Sequence, residues 1–193
     1  MKAEEVLRRY ANGERDFRGV NLSGVNLSGA VLPEIDLSHA ILTQANFNQA
    51  ILTEANLTGT VLDEAILYRA SLESANLSQA SLNQADLREA NLSQSLLYKS
   101  SLKQALLQKA VLSQAILNRA FLRGANLSEA NLCQANLQQA NLTHANLTGA
   151  NLSEANLEAA FLLEANLEQA NLEQANLERA VLTGAIMPDD TNE

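Results

Sequence analysis

Every fifth residue from Phe17 to Met187 is large and apolar. This series holds 35 positions, of which 32 are leucine and the others Phe17, Phe47 and Met187. A second series lies two residues ahead of the first, from position 20 to position 185, and 28 of its 34 members are alanine. Its exceptions are Val20, Val25, Ile35, Thr60, Ser95 and Ser100. No insertion breaks the register, so a backbone conformation open to one pentad is open to all of them.

A period of five suits neither regular secondary structure. On an α-helix each leucine would advance about 140° beyond a full turn and the series would scatter round the axis. On a straight strand an odd period sends successive leucines to opposite faces. Asn, Ser, Thr and Gly recur in nearly every pentad and further weaken a helix. The leucines share one side only if the chain turns a corner once per pentad. Short extended sides joined by turns then wind into a closed tube, whose stacked coils pair backbone amides at a rise of about 4.8 Å. The fold class is therefore an all-β solenoid. Each leucine points to the axis, and its alanine neighbour is small because a second large side chain would overfill the interior, at a cost of about 1–3 kcal/mol.

Composition agrees with a folded chain. Of 193 residues 47% are hydrophobic and only 18% charged, which separates it from disordered sequences. A net charge of -9 disfavours attraction to nucleic acid or anionic lipid, so no direct nucleic-acid binding and no membrane partner are expected. The charged N-terminus and the lack of a long apolar run lead to an expected cytoplasmic localisation. Cys133 is the only cysteine, which leaves no intrachain disulfide and no thiol–metal cluster.

Segments such as Ala125-Asn126-Leu127-Ser128-Glu129 and Ala150-Asn151-Leu152-Ser153-Glu154 resemble the pentapeptide repeat family, whose consensus is A(D/N)LXX. The resemblance covers roughly nine-tenths of the chain. It implies a right-handed quadrilateral β-helix with four pentads per coil, hence about nine coils and a rod about 40 Å long. On this reading residues 1–14 form a helical cap, 15–187 the β-helix and 188–193 a C-terminal tail.

The cap rests on Val6, Leu7 and Tyr10, which with Ala3 and Ala11 form an apolar stripe at helical spacing, ended by Asn12-Gly13. A short α-helix laid over the first coil would cover its leucines and unpaired backbone, above a coil widened by Val20, Val25 and Ile35. At the other end Pro188-Asp189-Asp190 removes a donor and adds charge, which blunts the edge. The segment Gly184-Ala185-Ile186-Met187-Pro188-Asp189 is also similar to the closing segment of a family member that regulates cell differentiation in filamentous nitrogen-fixing bacteria. Ser95 and Ser100 interrupt the alanine series, either as tolerated small replacements or as a junction between two ancestral blocks.

Catalytic chemistry has no foothold in the pattern. His39 and His144 fall in outward slots about five coils, or about 25 Å, apart and cannot share a substrate or metal. No phosphate loop, Cys/His cluster or nucleophile elbow occurs, and Cys133 reads as an inert surface thiol. The chain is expected to be no enzyme, with no catalytic residue, cofactor or metal site.

Stacked pentads instead make surface columns, because residues 20 apart become neighbours. Residues 1–68 carry five basic and nine acidic side chains, 69–123 seven and three, and 124–193 one and ten. Within the basic stretch Lys99 stacks on Arg119 and Lys103 on Arg123, with Phe121 beside them, while Arg69, Glu89 and Lys109 alternate in another column. Ile41, Val61, Phe121, Phe161 and Val181 fall on one inferred face, and Leu163 adjoins Phe161. Scattered exposed apolar residues are ordinary. Read as a site, Phe121, Phe161, Leu163, Lys99, Lys103, Arg119 and Arg123 form a candidate interaction surface for an unidentified protein partner, or for a second copy of the chain in a homodimer.

The expected function is a non-catalytic scaffold that presents flat β faces to another protein in a regulatory role. The family resemblance offers a rival: some members mimic DNA and bind a type II topoisomerase such as gyrase. The acidic C-terminal third suits that rival, whereas the basic middle and the lack of projecting loops oppose it. The inward assignment has its own test. Ala135→Leu in mid-stack should destabilise by about 1–3 kcal/mol, and clearly more than Gln134→Leu beside it, as read from denaturation midpoints.

Overall fold

The computed structural model describes residues 1–188; the expected tail after Pro188, with Asp189 and Asp190, lies outside the described residues. The chain forms a right-handed quadrilateral β-helix behind one short N-terminal helix. Parallel bridges join residues 20 apart in an unbroken series, from Asp16↔Asp36 to Asn166↔Ile186. Four pentads therefore close one coil. Each side contributes a single bridged residue, the one before the inward leucine, and the next side begins after a two-residue turn.

The pentad around Leu142 shows how its backbone is satisfied. Asn141 N–H donates back to Ala120 O (2.9 Å), while Leu142 N–H and His144 N–H donate forward to Phe161 O (2.7 Å) and Leu163 O (2.9 Å). Ala145 N–H closes the turn on Leu142 O (2.9 Å). The fifth donor, Thr143 N–H, has no ladder acceptor and is taken by the side chain of Asn141, whose Oδ1 lies 3.0 Å away. The same bond recurs from Ser23 to Asn21, Ser38 to Asp36 and Glu178 to Asn176. The Asn or Asp before each leucine thus supplies the acceptor that the ladder lacks.

The third residue of every turn is left-handed. Seven of these corners are glycine, from Gly19 to Gly184, but the others carry side chains at φ between 52° and 60°, mostly Gln, Glu, Lys and Arg. Such a conformation costs a non-glycine residue on the order of 1 kcal/mol. Long side chains at one corner reach the next rung, as in Gln44 to Glu64 (2.8 Å), Gln114 to Gln134 (2.9 Å) and Gln134 to Glu154 (2.8 Å). A glycine would relieve the strain and lose the rung-to-rung bond.

Inside, every large residue of the series from Leu32 to Leu167 is exposed by no more than 1%, and the alanines beside them are equally buried. The filled axis leaves no channel. Thr60, Ser95 and Ser100 take the alanine slot without disturbing the bridges. Their hydroxyls donate to Leu57 O, Leu92 O and Leu97 O, the carbonyls that accept the turn bond, at 2.6–2.8 Å.

The cap is helix α1, Ala3–Ala11, with Glu4 and Glu5 in its first turn and Arg8 and Arg9 in its last, each sign placed against the helix dipole. It stops where expected, at Asn12 followed by Gly13 with φ 91°. Val6 is fully buried, Tyr10 donates to Pro33 O (2.7 Å), and the Met1 ammonium donates to Asn21 O (3.1 Å). That carbonyl belongs to the first coil, which has no preceding coil to donate to it. At the other end Leu172, Leu177 and Leu182 are only half-buried.

Asn136 tests the side-chain acceptor, because its Oδ1 takes the Gln138 N–H at 3.0 Å. Asn136→Ala should cost on the order of 1 kcal/mol in chemical denaturation, and Asn136→Asp, which keeps the acceptor, should cost distinctly less.

Candidate protein-interaction face

The second side of the tube carries the bridged column Ser101, Phe121, Asn141, Phe161 and Val181. Phe121 and Phe161 are exposed by 46% and 48%, more than most apolar residues of the chain. A phenylalanine here points outward because its neighbour Leu122 or Leu162 already occupies the axis. Lys103 and Arg123 follow on the same side, one rung apart, and Lys99 and Arg119 stand at the corner that leads into it.

These four cations differ from the basic residues elsewhere on the coils, apart from Arg15, which is held against the cap by Tyr10 O (3.1 Å) and Glu14 O (3.0 Å). Arg18 holds Asp16 in two bonds (2.9 and 2.7 Å), and Arg88 holds Asp86 likewise (2.8 and 2.6 Å). Arg69 pairs with Glu89 (2.8 Å), Lys109 with Glu129 (3.5 Å) and Arg179 with Glu178 (3.5 Å). Among the described residues Lys99, Lys103, Arg119 and Arg123 make no ion pair at all. Lys103 lies 6.0 Å from the Phe121 ring centroid and Lys99 5.1 Å from that of Tyr98, both within cation–π reach. Arg119 donates to Gln139 Oε1 (2.9 Å). The Lys99 ammonium, with Arg119 beyond it, holds the Tyr98 phenol below the usual tyrosine range, whereas a hydrogen bond to Glu89 pushes the Tyr68 phenol up.

The structure places all four cations on the rung of Phe121 or the rung before it, with Lys103 the one in reach of its ring. Phe161 and Leu163 lie two coils further on, past Asn141 and Thr143, and form a second patch without a cation. Exposed aliphatic residues also stand on the other three sides, as Val31 and Ile51, Ile66 and Leu106, and Leu96 and Ile116, so only the aromatic residues and Leu163 distinguish this one. The alternating column carries two ion pairs, Arg69 with Glu89 and Lys109 with Glu129.

Sequence reasoning missed a groove of about 450 Å³ lined by Lys103, Gln104, Arg123, Gly124 and His144. It opens because Gly124 occupies a corner that holds a long side chain on the rungs above and below. The signal was that glycine, between Gln104 and His144 at 20-residue intervals. His144 is drawn away to Glu164, with Nδ1 at 3.3 Å. Among the described residues no group of three or more His, Cys, Asp or Glu side chains could hold a metal ion, and no helix is long and apolar enough to cross a membrane.

A family model for pentapeptide repeats matches the chain in eight copies, over spans that run from 16–53 to 162–189. The chain belongs to the pentapeptide repeat family. Among solved structures this pentapeptide repeat protein is similar to HetL from the cyanobacterium Nostoc sp. strain PCC 7120, described as involved in heterocyst differentiation regulation. The two share 37% identity over 99% of each chain, with a TM-score of 0.45. It is also similar to QnrB1, a plasmid-mediated fluoroquinolone resistance protein, at 17% identity over 90% of this chain and 93% of that one, with a TM-score of 0.69. The second likeness shows the shared fold. No curated protein matches the chain.

Proposed function

We propose that this pentapeptide repeat protein is a non-catalytic scaffold whose second side docks another protein. The observation that carries the reading is the segregation of its charges. Five cations of the solenoid are neutralised by local carboxylates and Arg15 is held against the cap at Tyr10, whereas the other four, all without an ion pair, lie on the two adjacent rungs that carry Ser101 and the exposed Phe121. Exposed pairs of this kind contribute little to stability, so leaving four cations unpaired on one side is an arrangement that folding alone does not require. An exposed aromatic ring with lysine and arginine on its own and the adjacent rung has the composition of an interface centre. The stiff ladder behind it means that little ordering is needed on binding.

DNA mimicry has one supporting observation, the acidic side chains of the C-terminal coils, with Glu158 and Glu178 on adjacent rungs. A mimic of a duplex would carry negative charge along its length, and the unpaired cations interrupt it on one side.

The docking reading is tested by Phe121→Asp combined with Phe161→Asp. Both residues are exposed, so the unfolding midpoint should hardly move. Proteins captured from the native host by the wild type should be lost by the double variant. Capture and oligomeric state identical to wild type would contradict it.

A further inference from the structure

We infer that the partner presents a carboxylate-rich, extended segment with an apolar residue, and that one of its carboxylates sits in the Gly124 groove between Lys103 and Arg123. The inference rests on the docking reading above and adds the chemistry of the occupant. Its first support is the charge of the whole face. From the rung 79–84 to the rung 139–144, the second side and its two corners carry no carboxylate, although the protein as a whole has a net charge of -9. The window is bounded by Asp63 and Glu64 on the rung before it and by Glu164 on the rung after it. Three rung spacings make it about 14 Å tall, the span of about four residues of extended chain. A longer polyanion laid along the rod would run onto carboxylates at both ends. A nucleic-acid strand is therefore disfavoured against a short acidic segment of a protein.

The second support is the shape of the centre. Gly124 leaves the corner open between Gln104 and His144, and the groove it makes is lined by Arg123 and by Lys103, which lies 6.0 Å from the Phe121 ring centroid. Neither Lys103 nor Arg123 has a carboxylate of this chain to hold it, so both are free to point at one brought from outside. An oxygen ligand there would receive charge-assisted hydrogen bonds from two sides. The apolar residue beside it would lie on Phe121, at the centre of the face, where burial is most complete.

The test uses the full chain and a fluorescent synthetic peptide of about four residues alternating glutamate with leucine, read by anisotropy at moderate salt. Lys103→Glu combined with Arg123→Glu should weaken binding at least about tenfold. Lys109→Glu combined with Arg88→Glu makes the same charge change away from this side and its corners and should leave binding close to wild type. Gly124→Gln fills the groove with a side chain that Gln104 and Gln134 already carry in this backbone conformation, so it should fold normally and still weaken binding. Equal weakening by the two charge pairs would overturn the inference, as would a single-stranded oligonucleotide of similar length that binds more tightly through the same residues. Partner capture that depends on Phe121 and Phe161 but not on Lys103 and Arg123 would sink this inference alone. Capture that depends on neither would sink the docking reading beneath it.

Discussion

The structure depends on one recurring event, the forward donation of each leucine N–H to the carbonyl 19 residues ahead, as from Leu102 to Phe121 O. That bond sets the interval of 20 between bridged residues. The interval puts four corners in each coil, and four corners put every leucine on the axis. The bond survives because its surroundings are dry: the large residues from Leu32 to Leu167 are almost wholly excluded from water. Each such burial contributes about 1.5–3 kcal/mol, opposed by the entropy of ordering the chain. Ladder and interior therefore require one another. A leucine in a mid-stack alanine slot would overfill the interior, and a shifted register would turn leucines outward.

The same interval turns a one-dimensional sequence into surface columns, and the columns divide the labour. Residues before each leucine satisfy the orphan turn amide when they are Asn or Asp, and give up that bond when they are aromatic, as at Phe121. Corner residues accept a left-handed backbone and answer it with contacts to the next rung. Gly59 illustrates the exchange: a side chain there would meet His39 Nδ1 at 2.7 Å, because the imidazole one rung away has spread over the open corner. Gly124 is a corner where a side chain would meet Gln104 Cγ only at an ordinary 3.6 Å, and the groove beside it is lined by two unpaired cations.

Much of the fold was legible in the sequence because its cause is periodic. The inward leucine and alanine series follow from spacing alone, and the helix over Val6 and Tyr10 from its stripe and its Asn12-Gly13 stop. The number of sides was not legible that way. Any closed tube with one corner per pentad would serve, and four came from resemblance to the family. The left-handed corners were hidden for a plain reason: glycine marks only seven of them, and Gln and Glu at the rest give no conformational signal. Of the site, the stacking of Lys99 on Arg119 and of Lys103 on Arg123 follows from the interval once it is known. That these four lack partners, while Lys109 finds Glu129, depends on side-chain reach across rungs, which composition does not reveal.

Cys133 offers the most direct check on the interval. Ser113 stands on the same side one coil before it, and Ser128 lies only five residues away in sequence but round a corner. Spin labels on Cys133 and on Ser113→Cys would then sit on adjacent rungs, about 4.8 Å apart. Strong spin–spin interaction for that pair, and weaker interaction for labels on Cys133 and Ser128→Cys, is the result a four-sided coil predicts. Interaction at least as strong between the labels five residues apart would contradict it.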